Sequence, residues 1–146
     1  MFGNKDKRAA ASDGRQAANA AFRAEVERLE ALPMAQLAAE VMVKGFGPDG
    51  YLPGFVRREP YAVAAVYIRN VAKMFEPEGA RDAGLYNRLA EVVGEGLQVL
   101  EHQSLIWARS VGEGFGVGYA PTRRGRAALE ANAVEQALHW ASAESA

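Results

Sequence analysis

The stretch from Leu97 to Leu129 constrains this chain more than any other. Val93, Leu97 and Leu100 recur at helical spacing, and Glu101, His102 and Gln103 supply polar groups where that helix would end. Leu105, Ile106 and Trp107 are strand formers, and Arg109 and Val111 continue the strand. Gly112-Glu-Gly-Phe-Gly116 then offers several residues able to take the positive φ of a hairpin turn. Val117 and Tyr119 suit a return strand. Pro121 has no N–H to donate and belongs at the end of an edge strand. Thr122 reads as the N-cap of a last helix. The order is therefore helix, strand, turn, strand, helix.

The same glycines invite a nucleotide-binding reading, which their context opposes. They fall one residue short of the kinase phosphate-loop spacing, and no lysine-bearing strand, catalytic loop or metal-binding aspartate motif follows. No Gly-Lys-Ser/Thr follows either, as a P-loop requires. A glycine-rich hairpin turn is the better reading.

The remaining chain is helical by pattern. Residues 1–14 mix Lys5, Lys7 and Arg8 with small polar residues and read as a disordered basic arm. Residues 15–146 read as a single domain. A first helix spans Arg15 to Leu32, with Ala18, Phe22, Val26 and Leu29 as its apolar stripe. Pro33 opens a second helix that buries Met34, Leu37, Ala38 and Val41 and ends near Lys44-Gly45, where glycine would take a left-handed cap. Gly47 to Gly54 is a loop by composition. A third helix begins at Pro60 or Tyr61, buries Ala64, Tyr67, Ile68, Val71 and Phe75, and stops at Glu76-Pro-Glu-Gly79. A fourth runs from about Ala80 to Gln103; Gly94 and Gly96 inside it mark a kink, a close crossing or a break into two. A fifth runs from Arg123 to Ser142, with Leu129, Ala133, Ala137 and Trp140 on one flank and Val134, Leu138 and Ala141 on the next. That face is wide enough to call for a partner subunit.

Bulk properties exclude several classes. The 146 residues are 49% hydrophobic and 24% charged, ordinary for a globular domain with a proper core. A formal net charge of -1 provides no overall cationic field, so binding to nucleic acid would rest on local charge. The absence of cysteine excludes disulfides, thiolate metal sites and cysteine catalysis. No apolar run approaches the roughly 20 residues of a membrane helix, and the N-terminus has no hydrophobic signal core. A cytoplasmic protein without membrane contact is expected.

Leu97-Gln-Val-Leu-Glu101 followed by Leu105-Ile106, together with Tyr119-Ala-Pro-Thr-Arg-Arg-Gly125-Arg-Ala-Ala-Leu129, resembles the winged helix-turn-helix regulators of the MarR and PadR kind. There a "LxxLExxGLI … YxLTxxGRxxL" pattern recurs. The chain departs from it at Ser104, where glycine is usual, and at Pro121, where leucine is usual. The resemblance covers roughly the last third of the chain. It implies a mainly α fold with a small β-hairpin, flanked by N- and C-terminal dimerisation helices. It also implies a homodimeric transcriptional regulator bound to double-stranded DNA, with the helix before the wing in the major groove.

The candidate DNA contacts follow from chemistry and position. Asn87 and Arg88 on the fourth helix would read base edges, and Arg81 lies just ahead of them. Arg109 on the first strand and Arg123 and Arg124 at the start of the last helix would hold phosphates. Cations at a helix start oppose its dipole, so a phosphate or a carboxylate such as Glu101 or Glu130 is expected beside them. Arg57-Arg58 is a further backbone candidate. Glu91 and Glu95 would repel phosphates. That acidic face supports an alternative, a winged-helix module that binds a protein partner without touching DNA. No enzyme is expected: His102 and His139 lack ligand spacing, Glu91 and Glu95 read as a solvated face, and no triad can be named. No cofactor is expected.

Overall fold

The computed structural model describes residues 2–58, 65–110 and 117–138, with side chains for all of these except 2–6 and 110. In chain order the elements are α1 (Phe2–Ala31), α2 (Met34–Phe46), α3 (Tyr51–Arg58), α4 (Ile68–Lys73), α5 (Ala83–His102), β1 (Ile106–Ser110), β2 (Val117–Pro121) and α6 (Arg123–Glu130). Residues 134–138 form a further short helix. The fold is mainly helical, with one small antiparallel sheet.

The long helix α5 is the hub. The Asp82 carboxylate caps it by accepting the Leu85 N–H at 3.0 Å. Leu85, Leu89, Val93, Leu97 and Leu100 form its buried stripe, against Leu37, Val41 and Met42 of α2 and Phe22, Val26 and Leu29 of α1. Residues 83–102 are one unbroken helix, so the two glycines do not split it. They differ in surroundings. A Cβ at Gly96 would come within 2.8 Å of Val41 Cγ2, whereas one at Gly94 would make only an ordinary contact with Ile68 at 3.8 Å. Gly96 therefore marks the α2–α5 crossing.

The end of α5 sets the direction of the hairpin. Leu105 N–H reaches back to the Leu100 carbonyl at 2.9 Å and Ser104 N–H to Glu101 at 3.0 Å. This is a Schellman closure, with Ser104 in the left-handed region at φ 60°. The chain then enters β1, which pairs with β2 from Ile106↔Pro121 to Ser110↔Val117. On the other side of β2, Val66 and Tyr119 exchange both backbone hydrogen bonds, at 2.9 and 2.7 Å. Thus β2 lies between β1 and the short extended segment at Val66. Thr122 caps α6 as expected, accepting the Gly125 N–H at 2.9 Å and donating to the Ser104 carbonyl at 2.7 Å.

Several sequence expectations need correction. The segment 1–14, expected as a disordered arm, is helical from Phe2 onward, because its alanines, lysines and arginine are strong helix formers. Met34 is not buried but 46% exposed, because the α1–α2 turn places it at the rim. Gly45 lies inside α2, which ends at Phe46; its cap Gly47 is extended rather than left-handed. The expected loop at 47–54 turns into α3 at Tyr51. Pro53 is tolerated there in the first turn, and Tyr51 stacks on Phe55 at 6.1 Å. The third expected helix is shorter: residues 65–67 are extended, because Val66 pairs with β2, and only Ile68–Lys73 is helical. Its expected start at Pro60 or Tyr61, and Ala64, lie outside the described residues.

The last helix stops at Glu130. Asn132 takes φ 50°, and Ala133 N–H closes on the Ala128 carbonyl at 2.8 Å. Asparagine tolerates this conformation better than most residues. Val134 and Leu138, expected to await a partner, are buried within the chain itself. The glycine turn 112–116, His139, Trp140, Ala141 and Ser142 lie outside the described residues.

Candidate functional site

The candidate contacts lie toward both ends of α5. Arg81, Asn87 and Arg88 sit at the N-terminal end of α5, while Arg124 sits at its C-terminal end, bonded to Gln103. Sixteen helical residues separate Asn87 from Gln103, a span of about 24 Å.

Each arginine has its own local partner or position. Arg88 donates to both carboxylate oxygens of Glu30 on α1, at 3.2 Å from Nε and 2.5 Å from a terminal nitrogen. This hydrogen bond to Arg88 holds the Glu30 carboxyl below its ordinary range, and Glu30 in turn raises the Arg88 guanidinium. Arg81 is gripped by its backbone: its N–H donates to Asn19 Oδ1 at 2.8 Å, and its carbonyl accepts from Asn19 Nδ2 at 3.3 Å. Arg109 lies over the Trp107 ring at 5.0 Å, in cation–π contact on the sheet's outer face. Arg124 donates to the Gln103 carbonyl at 2.6 Å and reaches the Ala137 carbonyl at 3.5 Å. This explains a cation at the start of α6. It neutralises the orphan carbonyl end of α5 and ties that end to residues 134–138. Arg123 is exposed and makes no hydrogen bond or ion pair among the described residues. Arg57 and Arg58 end α3 and are exposed.

The outward face of α5 is acidic. Asn87, Glu91, Glu95, Gln98 and Glu101 are all exposed. The three glutamates have no ion-pair partner among the described residues, unlike Glu25 and Glu40, which share Arg28, and Glu30, which holds Arg88. Beside this face runs a groove between α5 and the α1–α2 junction. One part, of about 410 Å³, is lined by Met34, Glu95, Gln98 and Val99. A second part, of about 220 Å³, shares Met34 and Glu95 and extends to Leu32, Glu91 and Glu30. Leu32, Met34, Leu37, Val92 and Val99 make its apolar wall, and Glu30, Glu91 and Glu95 line it together with Arg88 and His102. The sequence signalled the carboxylates, through Glu91 and Glu95, but not the apolar wall. Leu32 and Met34 flank Pro33, and only the turn there brings them alongside α5.

Among the described residues there is no group of three His, Asp or Glu side chains placed to hold a metal ion, and no helix long and apolar enough to cross a membrane. No protein family, curated protein or solved structure was found to match the chain.

Proposed function

We propose that this chain is a winged-helix-like docking module that binds a protein through the outward face of α5 and its flanking groove. The observation carrying this reading is the charge of that face. Arg88 is the only Lys or Arg in α5 and is occupied by Glu30, leaving Glu91, Glu95 and Glu101 unneutralised. A duplex laid there would meet like charge and lose affinity, whereas a cationic protein surface would gain it. The winged-helix part of the reading is supported by the succession α4, α5, β1, β2, α6 and by the strand-like segment at Val66 flanking β2.

DNA binding remains as a second reading for one reason: Arg81 and Arg123 project exposed cations without carboxylate partners among the described residues. Fluorescence anisotropy with mixed-sequence duplex DNA across a salt series separates the two. The docking reading expects no binding tighter than about 100 μM, the weak end of non-specific affinity. Micromolar binding that falls steeply with salt and is lost in Arg123→Glu would overturn it. In the complementary experiment, proteins co-purified from nuclease-treated lysate are retained by the wild-type chain and released by Glu95→Lys.

A further inference from the structure

The sheet has one edge that is paired and one that is not. Val66 and Tyr119 exchange both of their backbone hydrogen bonds, so the Tyr119 N–H and C=O point to the Val66 side of β2. These directions alternate along an antiparallel strand. Gly118 and Ala120 therefore face β1 and bond Arg109 and Trp107. Thr122 keeps the same phase by donating to the Leu105 carbonyl at 3.0 Å. The N–H and C=O groups of Ile106, Ala108 and Ser110 then point outward from β1, and among the described residues no hydrogen-bond partner meets them. Such an edge is a template for another strand. β1 has neither a proline nor a bulge to blunt it, Ala108 is exposed, and Trp107 is 46% exposed.

The side chains narrow the choice of partner. Trp107 and Arg109 share one face of β1, with the guanidinium 5.0 Å from the ring centroid. Their neighbours on β2 are the small Ala120 and Gly118, which leave that face open. Arg109 has no ion pair among the described residues. Outward groups can bond only outward groups, so β1 can meet a second β1 in few antiparallel registers. Centring on Ala108 overlaps all five residues and sets Trp107 of each copy opposite Arg109 of the other. Centring one residue earlier or later overlaps three residues of β1. The later register also sets Arg109 against Arg109, a repulsive pair.

We infer that β1 pairs antiparallel with β1 of a second copy, about a two-fold axis at Ala108. The two Ala108 residues exchange backbone hydrogen bonds, and Ile106 does so with the partner's Ser110. Trp107 and the partner's Arg109 form the close non-hydrogen-bonded pair, which extends the cation–π contact each copy already holds. The two hairpins become one continuous sheet, an isologous contact. This surface is the hairpin edge. It is neither the flanking helices that the resemblance would use nor the α5 face, so it stands apart from the docking reading.

The contact is short, so the dimer is a weak one. Sedimentation velocity of the full chain up to millimolar concentration tests it, and a concentration-dependent dimer is expected. Ala108→Pro removes the outward N–H and leaves the β1–β2 ladder intact, because proline is tolerated on an edge strand. It should weaken the dimer tenfold or more, with circular dichroism confirming the fold. A second variant does not depend on that substitution folding. The chain has no cysteine, and the two Ala108 Cα atoms would lie about 5.5 Å apart, within the span of a disulfide. Under a mild oxidant Ala108→Cys should cross-link into a dimer at least tenfold faster than Val43→Cys, which is similarly exposed but lies on α2. A monomer at every concentration would overturn the inference. So would a dimer that Ala108→Pro leaves intact, or Ala108→Cys cross-linking no faster than the α2 control.

Discussion

Gly96 of α5 lies against Val41 of α2 at a spacing that leaves no room for a side chain, with Val41 Cγ2 only 2.8 Å from where a Cβ would sit. Val41 is fully buried and β-branched, so it has little freedom to yield. Gly96→Ala should therefore destabilise the fold by about 1–3 kcal/mol through overpacking. Gly94→Ala, two residues away in the same helix, should stabilise it by about 0.5–1 kcal/mol, since it gains helix propensity and meets only an ordinary contact. Urea unfolding of both variants checks the opposite signs.

Ser104 holds φ 60°, a conformation that costs a residue with a Cβ about 1–2 kcal/mol. Its own side chain makes no hydrogen bond among the described residues. Ser104→Gly should raise stability by about 0.5–1 kcal/mol, the relief of strain being partly offset by the more flexible unfolded chain. A higher urea midpoint with unchanged slope is the expected outcome. A lower midpoint would show that the flexibility gained by the unfolded chain outweighs the strain relieved at Ser104.

Thr122 both caps α6 and ties it to the end of α5 through the Ser104 carbonyl. Thr122→Val keeps the shape and removes both bonds. The loss should be about 1–2 kcal/mol, and Thr122→Ser should recover most of it. Thermal unfolding of the two variants tests the cap against a purely steric role.

Arg124 and Arg123 are neighbours with different roles. Arg124→Ala should lower stability by about 1 kcal/mol, because the carbonyls of Gln103 and Ala137 lose their donor, while Arg123→Ala should leave it unchanged. Comparable melting temperatures for the two would argue against the Arg124 clamp. The contrast also shows why a DNA-binding test should reverse Arg123 alone.

Glu25 is held below the ordinary carboxylate value of 4.5, chiefly by its hydrogen bond to Arg28, which also bonds Glu40. A value lower in the folded than in the unfolded chain stabilises the fold above about pH 4.5, and that contribution fades as pH falls through the folded value. The pair is largely exposed, so the effect is a fraction of a kcal/mol. Glu25→Gln should lower the neutral plateau by that fraction of a kcal/mol and leave stability at the acid end unchanged, so the acid limb flattens.

Much of the local structure was legible in the sequence. The strands around Ile106 and Val117, the Thr122 cap and the apolar stripe of α5 all depend on residues within a few positions of one another, and period and capping chemistry report them directly. The span of the last helix was not legible. Its apolar flanks continue past Glu130, but the Asn132 turn folds Val134 and Leu138 back onto the core instead of prolonging the rod. The short segment at Val66 was hidden for a similar reason, since its extended form comes from pairing with Tyr119, more than fifty residues later.

By itself, the sequence determined a mainly helical chain with one hairpin near its C-terminal end, because spacing, β-branching and caps act over short range. Only the tertiary structure decided which charges remain unpaired. Arg88 read as a cation open to base edges and Arg124 as one open to phosphate, yet one meets Glu30 across the α1–α5 crossing and the other meets carbonyls at the end of α5. Electrostatic partners are chosen by distance in space, and the packing of α1, α5 and α6 set those distances.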